Sequence, residues 1–258
     1  MPVLSEASPA IRLHAYLDST AAMGDMALVA PSLVLTRRSK QWLTRMNNMS
    51  ASFLQAVKAR RSYYALSATS PIPDSQIQAI VESAVTNIPS PFNVQSGRAV
   101  VVFGEANQKL WDIVLKGYIK SLGDQAPAAV VKQNEDKIAG YATGYGSVLF
   151  FEDQAPLEAL AKQIAPLAPQ FPIWSENSTG MLQFAVWTAL EAEGFGASLQ
   201  HHGAYAPEIS AGIRSAFGLP ETWKSTALMP FGVVAGPPGQ PGREKTFLPI
   251  GDRVKVFN

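Results

Sequence analysis

The sequence predicts a globular α/β or α+β domain in which helices pack around one sheet. Three observations carry that reading. Segments of helical and of strand-like pattern alternate from residue 49 onward without internal repeat, as in layered mixed folds. Two apolar runs, Arg-Ala-Val-Val-Val-Phe at 98–103 and Ser-Val-Leu-Phe-Phe at 147–151, suit strands buried on both faces. Hydrophobic residues make up 47% of the 258 and charged ones 16%, enough apolar surface to offset the chain entropy of folding.

Residues 1–48 stand apart. They are Ser- and Ala-rich and turn basic toward their end, and from Met26 to Pro73 the chain carries no Asp or Glu. The segment reads as a disordered extension or as a mitochondrial presequence, with Glu6, Asp18 and Asp25 arguing against the latter. The organised domain is expected at 49–258.

Its first helix begins near Met49, with Phe53, Leu54 and Val57 on one face, and runs into Lys58, Arg60 and Arg61. Pro71 and Pro73 interrupt the chain, and Asp74 is the expected N-cap of a second helix. There Ile77, Ile80, Val81, Ala84 and Val85 form a stripe at i, i+3, i+4, i+7, i+8. The run at 98–103 is expected as a central strand. Residues 110–118 read as a helix, 124–137 as a surface loop and helix, and 147–151 as a second buried strand. Pro156, Pro166, Pro169 and Pro172 mark an irregular region before a long helix over 175–193, with Met181, Ala185, Thr188 and Ala189 along one face and Gly194 as its stop. A short strand at 197–200 and a helix from Pro207 to Gly218, with Ile209, Ile213 and Phe217 inward, precede a strand at 226–234. Three prolines and three glycines in residues 236–242 impose a loop, and 252–257 alternates like a terminal strand.

Composition excludes several functions. The balance of 21 Lys plus Arg against 20 Asp plus Glu rules out a strongly charged nucleic-acid glove. Without cysteine there is no thiolate metal site, iron–sulfur cluster or cysteine nucleophile. A three-histidine zinc centre would consume all of His14, His201 and His202, so no metal is expected. No uninterrupted apolar run is long enough to span a bilayer. The Gly194-Phe-Gly196 pair lacks the third glycine of a dinucleotide fingerprint, and neither a P-loop nor a Gly-x-Ser-x-Gly elbow occurs. Redox chemistry would have to come from a cofactor.

Three polar clusters stand out. Arg60-Arg61-Ser62 suits a phosphate monoester, since guanidinium forks match phosphate oxygens; arginines facing the dipole of a helix C-terminus would look the same. Asn93 and Gln95, in Ser90-Pro-Phe-Asn-Val-Gln95, place two amides where they can read a heterocycle edge, or form an ordinary Asx turn. Arg243 and Lys245, past the Gly/Pro loop, offer charge to the same phosphate or are simply solvated.

In this order, with Glu193-Gly-Phe-Gly-Ala-Ser-Leu-Gln-His-His202 between the second and third clusters, the chain resembles the FMN-dependent nitroreductase family over roughly residues 50–258. Arg60-Arg-Ser-Tyr-Tyr-Ala-Leu66, Ser90-Pro-Phe-Asn-Val-Gln-Ser-Gly-Arg98, Phe171-Pro-Ile-Trp-Ser-Glu-Asn177 and Leu199-Gln-His-His202 carry the resemblance, the last two pointing to a small fungal and bacterial subgroup typified by yeast proteins linked to oxidative stress and lipid signalling. The resemblance implies an α+β fold with a mostly antiparallel sheet surrounded by helices, and an intertwined homodimer with residues 252–257 crossing to the partner. It implies that Arg60, Arg61 and Ser62 hold the FMN phosphate and ribityl chain, with Arg243 or Lys245 adding a phosphate contact. Asn93 and Gln95 would bond the pyrimidine edge, and the backbone at Gly194 to Gly196 would approach the flavin. The resemblance also places Tyr64 among the cofactor-binding residues, near flavin N1, where many members carry a basic residue, so Arg98 is the alternative cation for the reduced flavin. The implied activity is ping-pong electron transfer from NADH or NADPH through flavin N5 to nitroaromatics, quinones or similar acceptors, with no catalytic side chain required. A flavin-binding stress or regulatory protein with incidental reductase activity is the alternative. The expected compartment is the cytoplasm, or the mitochondrion if residues 1–48 are a presequence.

Overall fold

The computed structural model describes residues 50–240 and 242–257; the predicted extension at 1–48 lies outside the described residues. Helix α1 covers 50–59. It is followed by β1 (Leu66–Ser67), α2 (Asp74–Asn87), β2 (Gly97–Phe103), α3 (Gly104–Leu122), α4 (Ala128–Ala142), β3 (Gly146–Asp153), α5 (Gln154–Gln163) and α6 (Phe171–Ala192). The chain continues through β4 (Phe195–Ala197), α7 (Pro207–Phe217), β5 (Trp223–Val234) and α8 (Ile250–Arg253).

The sheet runs β1-β5-β3-β2, with β4 also pairing β5. Every one of these strand pairings is antiparallel, so the fold is α+β rather than a parallel α/β sheet. The pleat divides the core between two faces. Val148 and Phe150 of β3, with Ala227, Met229 and Phe231 of β5, meet Ile77 and Val81 of α2 and Leu182, Val186 and Leu190 of α6. On the other face Leu149, Phe151 and Leu228 meet Leu110, Trp111 and Val114 of α3, Ile138 and Tyr141 of α4, and Ile209 and Ile213 of α7. One polar chain crosses this second layer and is satisfied throughout: Trp111 Nε1 donates to Ser147 Oγ at 3.0 Å, which donates to Asn107 Oδ1 at 2.7 Å.

Several elements differ from expectation, each for a physical reason. β2 is an edge strand, not a central one, and among its residues only Val102 is buried. A β-branched run reports cover on both faces, here from α2 and α3, and carries no information on what pairs at its edges. Asp74 is not the cap of α2: Pro73 takes that position, no side chain caps the helix, and the Asp74 carboxylate instead accepts a 2.6 Å bond from Tyr145 Oη. The prolines do not make 156–172 irregular throughout. Pro156 lies in the first turn of α5 and Pro172 in that of α6, where a missing N–H costs nothing. α6 buries Leu182, Val186 and Leu190, and of the predicted face it buries Thr188 but exposes Met181, so most of the buried face is rotated from the predicted one. The strand after Gly194 begins at Phe195 and not Ala197. Residues 252–257 form no strand within this chain; α8 is followed by an extended tail in which Val256 is 79% and Phe257 91% exposed.

His202 sits in a short turn (His202–Ala204) among the rings of Tyr118, Tyr141 and Tyr205, 4.9–5.7 Å centroid to centroid. Burial, aided by the charges of Lys137 and His201, pushes its pKa down to about 4. The unfolded chain therefore binds a proton that the folded chain refuses between about pH 6.5 and pH 4. Stability is expected to be full above that window and to fall by about 3 kcal/mol as pH drops through it. Denaturant titrations at pH 7 and pH 4.5 should show the loss, and His202→Phe, which keeps the ring packing, should reduce it.

Candidate functional site

The segment leaving α1 is fixed from three sides. Tyr63 N donates to Ala197 O at 2.9 Å, and Ser62 forms a parallel bridge with Ala197 of β4. Gly239 N, from the Gly/Pro loop, donates to Ser62 O at 2.8 Å. Arg61 N donates to both carboxylate oxygens of Glu191, at 2.8 and 3.2 Å. Burial at the end of α6 pushes the Glu191 carboxyl above its ordinary range, opposed by that N–H and by the charges of Arg60 and Arg61.

Arg60, Arg61, Arg243 and Lys245 line one cleft of about 390 Å³ with Ser62 and Tyr64, and no acidic residue is among its walls. The structure therefore does bring together the two cationic clusters that lie far apart in sequence. The Arg60 guanidinium rests 4.2 Å over the Trp187 ring. Its Nε is buried without a hydrogen-bond partner among the described residues, an arrangement that costs free energy until an acceptor arrives. Four cations, one orphaned N–H and a hydroxyl fit a terminal phosphate, which is a strong acceptor carrying nearly two negative charges at neutral pH. Tyr64 stands where a further cation was sought and packs its ring against the α3–α4 face of the core.

Gly194 adopts φ +92° just past α6, which glycine tolerates without strain. A Cβ at Gly196 would lie 2.8 Å from Val234 Cγ2 and 2.9 Å from Tyr63 Cβ. The chain's own packing thus accounts for the missing side chain there, and the space before Gly196 holds Tyr63.

The amide cluster is elsewhere. Gly97 pairs with Glu152 and Glu152 with Lys224 at the start of β5, whereas Ala197, beside Ser62, pairs with Phe231 near its end. Residues 224 and 231 are seven apart, so the clusters sit at opposite ends of the sheet, roughly 20 Å apart along β5 alone. Gln95 lines a separate cavity of about 220 Å³ with Ser90 and Arg98, and Asn93 is exposed at the loop tip. This is no Asx turn. Phe92, Asn93 and Gln95 all adopt φ near +50°, unusual for non-glycine residues and a true outlier for phenylalanine. The loop is held by Ser90 Oγ accepting from Gln95 N at 2.9 Å, and by Phe92 set edge-on to Phe171 at 5.9 Å. Arg98 is committed to the same loop: it donates to Gln95 O at 2.6 Å and pairs with Asp153 at 2.9 Å, so its guanidinium is not a free cation. Among the described residues no cluster of three or more His, Asp or Glu is arranged to hold a metal ion.

The model of the nitroreductase family matches residues 57–233. The chain belongs to the nitroreductase family. HBN1 of Saccharomyces cerevisiae is 35% identical over 210 residues, covering 81% of this chain and 98% of that protein. The nitroreductase FRM2 of the same yeast is 32% identical, covering 76% of this chain and 93% of its own length. Nitroreductase CinD from Lactococcus lactis, solved with nicotinic acid, superposes with a TM-score of 0.69 at 35% identity, covering 80% of this chain and all of that one. This agrees with the yeast-like subgroup read from the motifs.

Two residues behind this nitroreductase's cleft escaped the sequence reading. Trp187 and Glu191, one turn apart on α6, hold Arg60 and Arg61 respectively. The i, i+4 spacing just before Gly194 is visible in the sequence, but which cations it meets depends on β4 carrying residues 195–197 back against Ser62.

Proposed function

We propose that this nitroreductase binds FMN and passes electrons from NADH or NADPH to nitroaromatic, quinone or similar flat acceptors, both substrates using the same site in turn. The observation that carries the reading is the cleft itself: four cations on walls that include no acidic residue, with the buried Nε of Arg60 lacking a hydrogen-bond partner among the described residues. Arg60, Arg61, Arg243 and Lys245 would hold the phosphate and Ser62 the ribityl chain. Bound there, FMN supplies the hydride-accepting N5 and the two-electron chemistry that no side chain of this protein can perform. CinD, solved with 4-nitrophenol at 35% identity, supports the acceptor class.

On this reading one site takes its phosphate grip from one copy and its amides, Asn93 and Gln95, from a second, an arrangement the separation of the clusters within one chain supports. The exposed apolar residues favour such a dimer: Phe53 and Leu54 on α1 are 60% and 61% exposed, and the tail at 254–257 is uncovered. FMN has about 31 non-hydrogen atoms, so at about 0.3 kcal/mol each the binding energy is about 9 kcal/mol, a sub-micromolar affinity. The recombinant protein is expected to purify yellow, to release FMN rather than FAD or riboflavin, and to reduce 4-nitrophenol with NADH or NADPH. A colourless protein that takes up no added FMN would overturn the proposal.

A further inference from the structure

α6 presents two side chains one turn apart to the segment that carries the phosphate-gripping cations. Trp187 lies beneath the Arg60 guanidinium at 4.2 Å. Glu191 receives Arg61 N through both oxygens, at 2.8 and 3.2 Å. Neither is among the residues that line the cleft. An arginine side chain in water samples many rotamers, and ordering it is a cost that binding has to meet. Here the cost is met in advance. The ring fixes the plane of the Arg60 guanidinium by a cation–π contact, and the carboxylate fixes the backbone from which Arg61 projects.

The arrangement at Glu191 is costly in itself. A carboxylate at a helix C-terminus faces the negative end of the dipole, and this one is partly desolvated as well. A neutral acceptor would complete the same hydrogen bond with less penalty. What the carboxylate adds is a second acceptor oxygen and a local counter-charge for Arg60 and Arg61, which lets two adjacent guanidiniums share one corner before the anion is present.

The geometry points to Trp187 and Glu191 as positioning residues that preorganise Arg60 and Arg61 for a phosphomonoester, and so set the preference for FMN over its unphosphorylated form, riboflavin. The inference rests on the proposed FMN function and assigns the phosphate selectivity of that site to the face of α6 behind it.

The test is the ratio of FMN to riboflavin affinity, measured by fluorescence quenching on apoprotein reconstituted with each flavin. Trp187→Leu and Glu191→Ala are each expected to weaken FMN binding by about tenfold while leaving riboflavin within about twofold, because only the phosphate contacts depend on the clamp. Trp187→Phe, which keeps a ring face, and Glu191→Gln, which keeps one acceptor for Arg61 N, are expected to fall between wild type and these. A merely structural role would lower both affinities together, or lower the unfolding midpoint without moving the ratio. An unchanged ratio in both Trp187→Leu and Glu191→Ala overturns the inference. If either of these fails to fold, the ratio in its conservative partner decides for that position. A wild-type protein that binds riboflavin as tightly as FMN, or neither, defeats the functional reading itself and is seen before any variant is made.

Discussion

Replacing Arg60 by alanine is expected to weaken FMN binding by about a hundredfold or more, so that the variant purifies colourless while keeping its fold. Arg60 offers the cleft a cation whose Nε is buried and unpartnered and whose plane is set by Trp187. Charge-assisted hydrogen bonds of this kind contribute about 1.5–3 kcal/mol each, and a phosphate would take more than one from this side chain. The fold should tolerate the change, because Arg60 makes no ion pair among the described residues and its removal deletes an uncompensated buried donor. Equilibrium dialysis against FMN, together with a thermal melt of the apoprotein, separates the outcomes. Retention of sub-micromolar FMN affinity would remove Arg60 from the phosphate site.

Gly232→Ala is expected to damage the fold itself. A Cβ at Gly232 would lie 2.3 Å from Ser67 O and 2.9 Å from Tyr145 N, both backbone atoms. Ser67 is held to Val233 in the β1–β5 ladder, so relief requires breaking a strand pairing rather than rotating a side chain. The expected cost is about 3 kcal/mol or more, a fall of roughly 6–12 °C in Tm for a domain of this size. Since β1 continues from the segment that carries Arg60 to Ser62, flavin affinity should fall as well. A Tm within about 2 °C of wild type would show that the backbone at Ser67 moves more freely than the close packing allows.

What the sequence disclosed follows from how local each feature is. The body of α2, with Ile77 and Val81 fully buried, and α7, closed by Gly218 at φ +62°, are written in helical periodicity and a glycine stop. β3 reads as a continuous apolar run and is buried over nearly its whole length. The place of β2 at the edge was hidden, because a Val-Val-Val run looks the same wherever it lies in the sheet. The rotated face of α6 was hidden too: that helix buries Gln183 and Thr188 and exposes Met181, so the polarity of its residues does not choose a side. The terminal alternation Val254-Lys-Val-Phe257 suggested a strand, yet among the described residues no strand pairs with it.

The site divides in the same way. Arg60 and Arg61 were legible because they sit in a stretch free of acidic residues, and the structure adds Arg243 and Lys245 to their cleft. The amide loop was legible as an unusual turn, but its position was not, since the order of motifs along the chain says nothing of strand register. Only the pairings of β2, β3 and β5 reveal that Asn93 and Gln95 lie at the far end of the sheet from the phosphate grip.

That separation gives the most direct test. Two differently tagged chains would be co-expressed, one carrying Arg60→Ala with Arg61→Ala and the other Asn93→Ala with Gln95→Ala, and the mixed dimer purified through both tags. If each flavin is held by the cations of one copy and the amides of the other, the mixed dimer contains one intact and one doubly damaged site. It should bind about half the wild-type FMN at wild-type affinity, while neither parental protein does. Flavin content no higher than that of the two parents would contradict a site shared between copies.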